Sequence, residues 1–154
     1  VEKLDLLPRL FAQEEIGIVP AVYEEVHTGV EKGYSALQTI LAFVKQRRVH
    51  LVPLSEEELV AKTSLPRSFD EGERETGAVA KQRQWSVLTN EKLVKNWCWR
   101  EGISCLNLPA FLGALWRTRI LTKEEVEILI KEIEDKDRLV FKNKEQILVD
   151  NSDQ

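Results

Sequence analysis

Apolar positions along the chain alternate between short unbroken runs and stripes with helical spacing. The runs at 16–19, 49–52, 85–88 and 103–106 are short and mostly apolar, which is typical of strands buried on both faces. The stretches between them repeat apolar residues every three or four positions and so predict amphipathic helices. Strands that alternate with helices predict an α/β fold: a parallel central sheet between two helical layers, an α/β/α sandwich.

Local signals predict where the helices begin. Pro20 suits the first position of a helix over 20–31, because its missing N–H has no partner there. Ser55 precedes three glutamates and predicts another start, since acids complement the N-terminal dipole. Ser68 and Glu71 have the spacing of a capping box, which predicts a helix to about residue 82. The other predicted helices are a short one near the N-terminus, 34–47, 91–101 ending at Gly102, 109–118, 122–134 capped by Thr122, and a short one within 137–148.

Length and composition restrict the class of protein. The chain has 154 residues, of which 43% are hydrophobic and 31% charged, as in globular proteins and unlike disordered ones. We expect one domain over 1–148 and a frayed tail at 149–154. No apolar run approaches the roughly 20 residues that span a bilayer, and no signal peptide opens the chain. We therefore expect a cytoplasmic protein with no membrane contact.

Three further features of the composition bear on function. The formal net charge of −4 argues against a non-specific nucleic-acid coat, which needs a basic face, but is compatible with a metal-dependent enzyme. Cys98 and Cys105 form no CxxC pair, so we expect reduced thiols. The chain contains no methionine and begins at Val1. We expect either that its N-terminus is incomplete or that methionines are absent from the sequence as written.

Acidic and amide side chains from three segments are predicted to meet at the carboxyl ends of the strands, where open α/β sheets bind ligands. Glu25 flanks the apolar stripe of the helix after the first strand. Glu73 lies near the start of a crossover helix, which runs antiparallel to the strands and so begins at the same edge. The candidate residues are Glu25, Asp70, Glu73, Asn90 and Glu91. Acids in a first helical turn are also expected from the dipole alone, so a purely structural role stays open.

Carboxylates at one point predict a cation. They repel one another and raise each other's pKa unless a cation is present. Hard oxygen ligands suit Mg²⁺ or Mn²⁺, and such ions stabilise the attacking and leaving oxygens in phosphodiester hydrolysis. We therefore expect Glu25, Glu73 and Glu91 to be catalytic, with Asp70 and Asn90 as further metal ligands.

Four segments carry a resemblance to a known family. They are the LDLL stretch with Phe11 at 4–11, IVPAVYEEV at 18–26, FDEGERE at 69–75 and VLTNEK at 87–92. Together they resemble a PIN domain from Val1 to about Leu148, in a prokaryotic branch of predicted nucleic-acid-binding proteins. The resemblance implies an α/β/α sandwich whose acids bind Mg²⁺ or Mn²⁺ and hydrolyse RNA, often as the toxin of a toxin–antitoxin pair.

The resemblance also assigns the candidate residues to positions of the family. Glu25 resembles the acid of its early helix, and Glu73, with Asp70 nearby, resembles the acid of its middle helix. Glu91 resembles the aspartate after the fourth strand, and Asn90 the neighbouring place that often holds another aspartate.

Three departures from the family pattern leave two functions open. The family opens with a central strand that carries an aspartate, and this chain starts after that point. Glu91 is longer than the usual aspartate, and Asn-Leu-Pro at 107–109 replaces a small, Gly-containing segment. The chain is therefore expected to be either a metal-dependent ribonuclease or an inactive PIN-fold module that acts through protein contacts. RNA, an antitoxin protein and a second copy of the chain are the expected partners.

Aromatic and apolar residues outside the acidic site have two interpretations each. Trp97, Trp99 and Trp116 could stack on bases, although tryptophans more often pack helices onto a core. The apolar stripe of the helices over 109–134 predicts core packing, with a surplus edge that could bind a second copy or an antitoxin helix. GxGxxG, GxxxxGK[ST] and GxSxG are all absent, which excludes dinucleotide, P-loop and α/β-hydrolase sites.

Overall fold

Helices and strands alternate in the predicted order in the computed structural model, which describes residues 6–10, 12, 14–137 and 140–149. The helices are α1 (Leu6–Leu10), α2 (Pro20–Glu31), α3 (Gln38–Lys45) after a 3-10 turn (Ser35–Leu37), α4 (Glu56–Lys62), α5 (Glu71–Arg83), α6 (Lys92–Glu101), α7 (Leu108–Arg117), α8 (Lys123–Asp137) and α9 (Lys144–Ile147). The strands are β1 (Gly17–Ile18), β2 (His50–Leu51), β3 (Val87–Leu88) and β4 (Cys105–Leu106). The start of the predicted N-terminal helix and most of the predicted frayed tail lie outside the described residues.

The four strands form two parallel pairs. β1 lies beside β2 with Gly17 opposite His50, and β3 lies beside β4 with Val87 opposite Cys105. The predicted parallel α/β arrangement is confirmed. Among the described residues no hydrogen-bonded ladder joins one pair to the other, so these strands do not form one continuous sheet.

Helix α5 packs closely on its neighbours through small side chains. Ala78 is buried in a cluster with Val87 of β3 and Trp97 of α6. A Cβ added to Gly77 would lie 3.2 Å from both Leu65 and Trp97, which leaves little room for any larger residue. The small residues of this helix therefore allow a close approach to neighbouring helices as well as to strands.

The start of α5 differs from the prediction. Asp70, and not Ser68, is its N-cap residue: Asp70 Oδ1 accepts the Glu73 N–H at 2.8 Å, and Glu73 Oε2 accepts the Asp70 N–H at 2.9 Å. The sequence offers a second capping box two residues after the first. The later start leaves Phe69 just outside the helix, where it is buried edge-on against Trp97. Burial of this ring provides a physical reason for the later box.

Other predicted helix ends are confirmed. Pro20 is the first residue of α2, and Ser55 caps α4 through its side-chain oxygen. Gly102 ends α6 in the left-handed conformation with a φ of 69°. Thr122 Oγ1 accepts the Glu125 N–H at the start of α8.

The chain divides into two compact units, Val1–Leu106 and Asn107–Gln154. In the second unit, Trp116 Nε1 donates to the Ile147 carbonyl at 2.6 Å, so this half-buried tryptophan has a packing role. The buried members of the predicted apolar stripe are Leu112, Leu115, Val126, Leu129 and Ile130. One domain over 1–148 stays a prediction. No helix in the described part of the chain is long and apolar enough to cross a bilayer.

Candidate metal and nucleic-acid site

Helices α2 and α5 meet at a close contact that fixes the candidate site. A Cβ on Gly72 of α5 would lie only 2.8 Å from Val22 Cγ2 of α2, so a larger residue would push the helices apart. One turn further along α5, Glu75 is buried and its Oε2 accepts the Ala21 N–H at 2.8 Å. This bond satisfies one of the N–H groups that the first turn of a helix leaves without an intrahelical partner. The two helices are therefore held in one register.

Three of the five predicted site residues come together at this contact. Glu25 Oε1 lies 3.0 Å, and Asp70 Oδ1 3.5 Å, from the point that a Cβ on Gly72 would occupy. Glu25 is exposed, but partial burial of its carboxyl against α5 raises its pKa, and the negative charges of Asp70 and Glu73 raise it further. A raised carboxyl pKa beside other acids is the repulsion that a bound cation would relieve.

The two acids on α5 are each partly engaged by the capping box. Asp70 Oδ1 and Glu73 Oε2 accept backbone N–H groups, as described above. Within the described residues, the second oxygen of each carboxylate has no hydrogen-bond partner. One carboxylate can therefore cap the helix and still bind a cation, because it accepts at both oxygens.

The other two predicted site residues lie at the start of α6. Glu91 is the exposed N-cap residue of this helix, and its N–H donates to Thr89 Oγ1 at 3.1 Å. Asn90 is exposed immediately before it. In the described part of the chain, no hydrogen bond, ion pair or pKa effect connects either residue to Glu25. Their role as metal ligands stays a prediction.

Glu75 is the site-forming residue that the sequence interpretation missed. Besides the Ala21 N–H, it has Lys62 Nζ at 3.6 Å from its Oε1. Glu75 lies three residues after Gly72 and four before Val79, both of which are buried. That helical spacing was the available signal, because a charged residue on the buried face of a helix needs a partner.

The acids at the helix contact fit a hard divalent cation. Mg²⁺ is usually bound by one or two carboxylates, with water and substrate phosphates completing its coordination. Glu25 and Asp70 could provide that pair, and Glu73 would add negative charge. No group of three His, Cys, Asp or Glu residues is arranged to hold a metal within the described ranges. A cation held by Glu25 and Asp70 would take the rest of its ligands from water and substrate.

Comparison with known proteins identifies the family. A family model described as a PIN domain matches residues 1–148, which include all five predicted site residues. No curated protein and no solved structure matches the chain. The PIN domain is an α/β, nuclease-type fold, and PIN domains generally use divalent metal ions. Because the match covers nearly the whole chain, the protein belongs to the PIN-domain family.

Proposed function

We propose that the protein is a divalent-metal-dependent ribonuclease that hydrolyses phosphodiester bonds. The observation that carries the proposal is the meeting of Glu25 and Asp70 at the α2–α5 contact. Partial burial and the nearby charges of Asp70 and Glu73 together raise the pKa of Glu25 there. Mutually repelling carboxylates lower the stability of the protein unless a cation neutralises them, and such groupings are typical of functional sites. The family match supports the same class of activity.

The chain's own residues have separate tasks in this proposal. Glu25 and Asp70 would hold Mg²⁺ or Mn²⁺, and the second oxygen of Glu73 would be a third ligand. When bound, the ion would stabilise negative charge on the phosphodiester and lower the pKa of the attacking water. Gly72 and Glu75 are positioning residues, since they fix how close α2 lies to the acids of α5. Glu91 and Asn90 would reach the substrate or the ion from the end of β3.

The central test replaces Glu73 with glutamine. Glutamine also serves at this position of a capping box, so Glu73→Gln should retain the helix start and the melting temperature. We expect it to abolish cleavage of labelled RNAs when Mg²⁺ and Mn²⁺ are both supplied. The matched control is Glu71→Gln in the same helical turn, because Glu71 pairs with Lys62 instead. That variant should cleave at the wild-type rate.

The proposal concerns the full-length gene product, including any residues that precede Val1. Wild-type protein that leaves a varied set of RNAs intact with both ions present would refute the ribonuclease. Both variants remove one negative charge from the first turn of α5. Equal loss of cleavage in Glu71→Gln and Glu73→Gln would therefore refute a specific catalytic role for Glu73. Glu91→Gln tests the contribution of α6 in the same assay.

A specific observation favours the alternative of an inactive PIN-fold module. One oxygen each of Asp70 and Glu73 already accepts a backbone N–H, and Glu91 shows no connection to Glu25 within the described residues. A module that acts only through protein contacts would bind no divalent ion. Titration calorimetry with Mn²⁺ distinguishes the two functions, because micromolar affinity lost in Asp70→Asn supports the nuclease and no binding heat supports the module.

We further propose that the protein acts in the cytoplasm as the toxin of a toxin–antitoxin pair, as a homo-oligomer. The family match supports a nucleic-acid substrate. The toxin role adds to this that cleavage of cellular RNA would stop growth. Induced expression of the wild-type chain should arrest growth, whereas Glu73→Gln should not. Equal growth of both strains at equal protein levels would refute the toxin role. Light scattering of the purified protein tests the oligomer separately.

A further inference from the structure

Helix α6 carries two tryptophans in opposite environments. Trp97 is 5% exposed and packs edge-on against Phe69, whereas Trp99 is 84% exposed. Two residues of a helix are about 200° apart, so the two rings lie on nearly opposite faces. The expectation that tryptophans pack into the core is confirmed for Trp97 and wrong for Trp99. Core packing therefore gives no reason for a tryptophan at position 99.

Basic side chains share the outer face of α6 with Trp99. Lys92 and Lys95 lie seven and four residues before it, which places them on the same side of the helix. Both are exposed, as is Arg100. None of the three forms an ion pair with the described residues, whereas Glu101, the acid of this helix, pairs with Lys81 at 2.6 Å. We call Lys92, Lys95 and Trp99 the α6 strip.

The charge of the α6 strip contrasts with that of the chain. The whole sequence has 26 acids and 22 bases, yet this face combines two lysines with one aromatic ring. Lys92 and Trp99 are about 10.5 Å apart along the helix axis, at the usual rise per residue. This length accommodates a stacked base and neighbouring phosphates. The strip also begins directly after Glu91, at the carboxyl end of β3.

We propose that the α6 strip binds single-stranded RNA, with one base stacked on the Trp99 indole and the phosphates on Lys92 and Lys95. Aromatic platforms beside basic side chains are the general means by which proteins hold single strands, because every base has a stacking face and every nucleotide a negative charge. The choice of RNA as ligand rests on the ribonuclease function proposed above. The site itself rests on the exposure and charge of α6.

Binding is measured without cleavage, by fluorescence anisotropy of a labelled oligouridine of about 12 nucleotides in EDTA. Trp99→Ala should raise the Kd about tenfold, and Trp99→Phe should restore most of the affinity, because stacking needs an aromatic ring. Val60→Ala is the matched control: Val60 is 70% exposed on α4, so it tests the loss of an exposed apolar side chain elsewhere. We expect its Kd to equal that of the wild type.

The lysines provide an independent readout through salt dependence. Each phosphate contact on a single strand contributes about 0.7 to the slope of log Kd against log salt. Lys92→Gln and Lys95→Gln should each lower that slope by about this amount. Trp99→Ala should weaken binding and leave the slope unchanged. Circular dichroism confirms that each variant keeps its helices.

Several outcomes would overturn the proposal that the α6 strip binds RNA. They are the absence of RNA binding in the wild type, an unchanged Kd in Trp99→Ala, and equal weakening in Val60→Ala. Conversion of a dimer to a monomer by Trp99→Ala, with RNA affinity unchanged, would instead assign this face to a second copy. A protein that binds RNA through Trp99 but never cleaves it refutes only the ribonuclease. A protein that cleaves RNA and binds it independently of Trp99 refutes only the strip.

Discussion

Two helices of this protein begin with the same local motif in opposite electrostatic surroundings. Ser55 and Glu58 form the capping box of α4, and Asp70 and Glu73 form that of α5. Glu58 is 2% exposed and accepts two hydrogen bonds from Arg83, at 2.6 and 2.9 Å, which hold its pKa below its usual value. At the second box, among the described residues, no salt bridge compensates Asp70 or Glu73, and the carboxylate of Glu25 lies close by. Partial burial and the charges of Asp70 and Glu73 raise the pKa of Glu25.

The difference separates an acid whose charge is compensated from acids whose like charges repel one another. At α4 a guanidinium with fixed geometry compensates a buried carboxylate, and Arg83 also donates to the Pro53 carbonyl at 3.0 Å. At α5 the like charges of Glu25, Asp70 and Glu73 oppose one another across the helix contact. The first arrangement is expected of structural residues, and the second of residues that serve a ligand.

Loss of Arg83 should have the largest effect on stability. Arg83→Ala leaves the buried carboxylate of Glu58 without its charged partner, so we expect unfolding to become easier by about 3 kcal/mol in urea denaturation. Lys81→Ala is the control in the same helix, because it removes the exposed pair with Glu101. That change should cost less than about 1 kcal/mol. Equal losses in the two variants would show that Glu58 is no more dependent on its partner than a surface acid.

Neutralisation of Glu58 should change how stability depends on pH. Because pairing with Arg83 lowers the folded-state pKa of Glu58, its contribution is present above about pH 4.5, the ordinary value, and is lost as pH falls through the folded value. Glu58→Gln should therefore be less stable than wild type by about 2 kcal/mol at neutral pH, with the difference shrinking in acid. Urea midpoints from pH 7 to 3 measure it. A pH-independent difference would contradict the assigned cause.

Substitutions of Asp70 should separate the cap from the charge. Asp70→Ala removes the acceptor for the Glu73 N–H, so we expect a loss of about 1 kcal/mol in folding stability. Asp70→Asn retains a good N-cap acceptor and should fold as well as wild type. Both variants should lose metal-dependent cleavage, because neither has the carboxylate. Full cleavage by Asp70→Asn would leave the side chain with a capping role alone.

The sequence predicted where most helices begin better than which side chains meet between them. Pro20 and Ser55 are local signals, and both helix starts are as predicted. The choice between two overlapping capping boxes depended on the burial of Phe69, a tertiary effect that local spacing does not contain. The pairing of Glu75 with Ala21 joins residues 54 positions apart, so no local pattern indicated it.

The candidate site was predictable to the same extent. Helical phase and topology brought Glu25 and the two acids of α5 together, because chain direction alone decides which helix ends share an edge. The same reasoning could not determine how close Glu91 lies to them, since that distance depends on the packing of α6 against α5. Nor did it indicate that Trp99 would face solvent while Trp97 is buried. Their spacing already showed that both could not be buried against the same neighbour, because residues two apart lie on nearly opposite faces of a helix.

The smallest expected effect on stability is that of replacing Glu25, and its sign depends on whether a divalent ion is present. Glu25→Gln removes one of the repelling carboxylates, so in EDTA it should raise stability, by no more than about 0.5 kcal/mol because the exposed group is screened by solvent. With Mg²⁺ or Mn²⁺ in excess the order should reverse, since an ion that binds only the folded wild type stabilises it.

Glu24→Gln is the control, because it changes the adjacent exposed acid. Its melting temperature should differ from that of the wild type by the same amount with and without the ion. Thermal melts in both conditions measure the four differences. A Glu25→Gln variant that gains as much from the ion as wild type would place the metal elsewhere, because a carboxylate that holds the cation cannot be neutralised without loss of its binding energy.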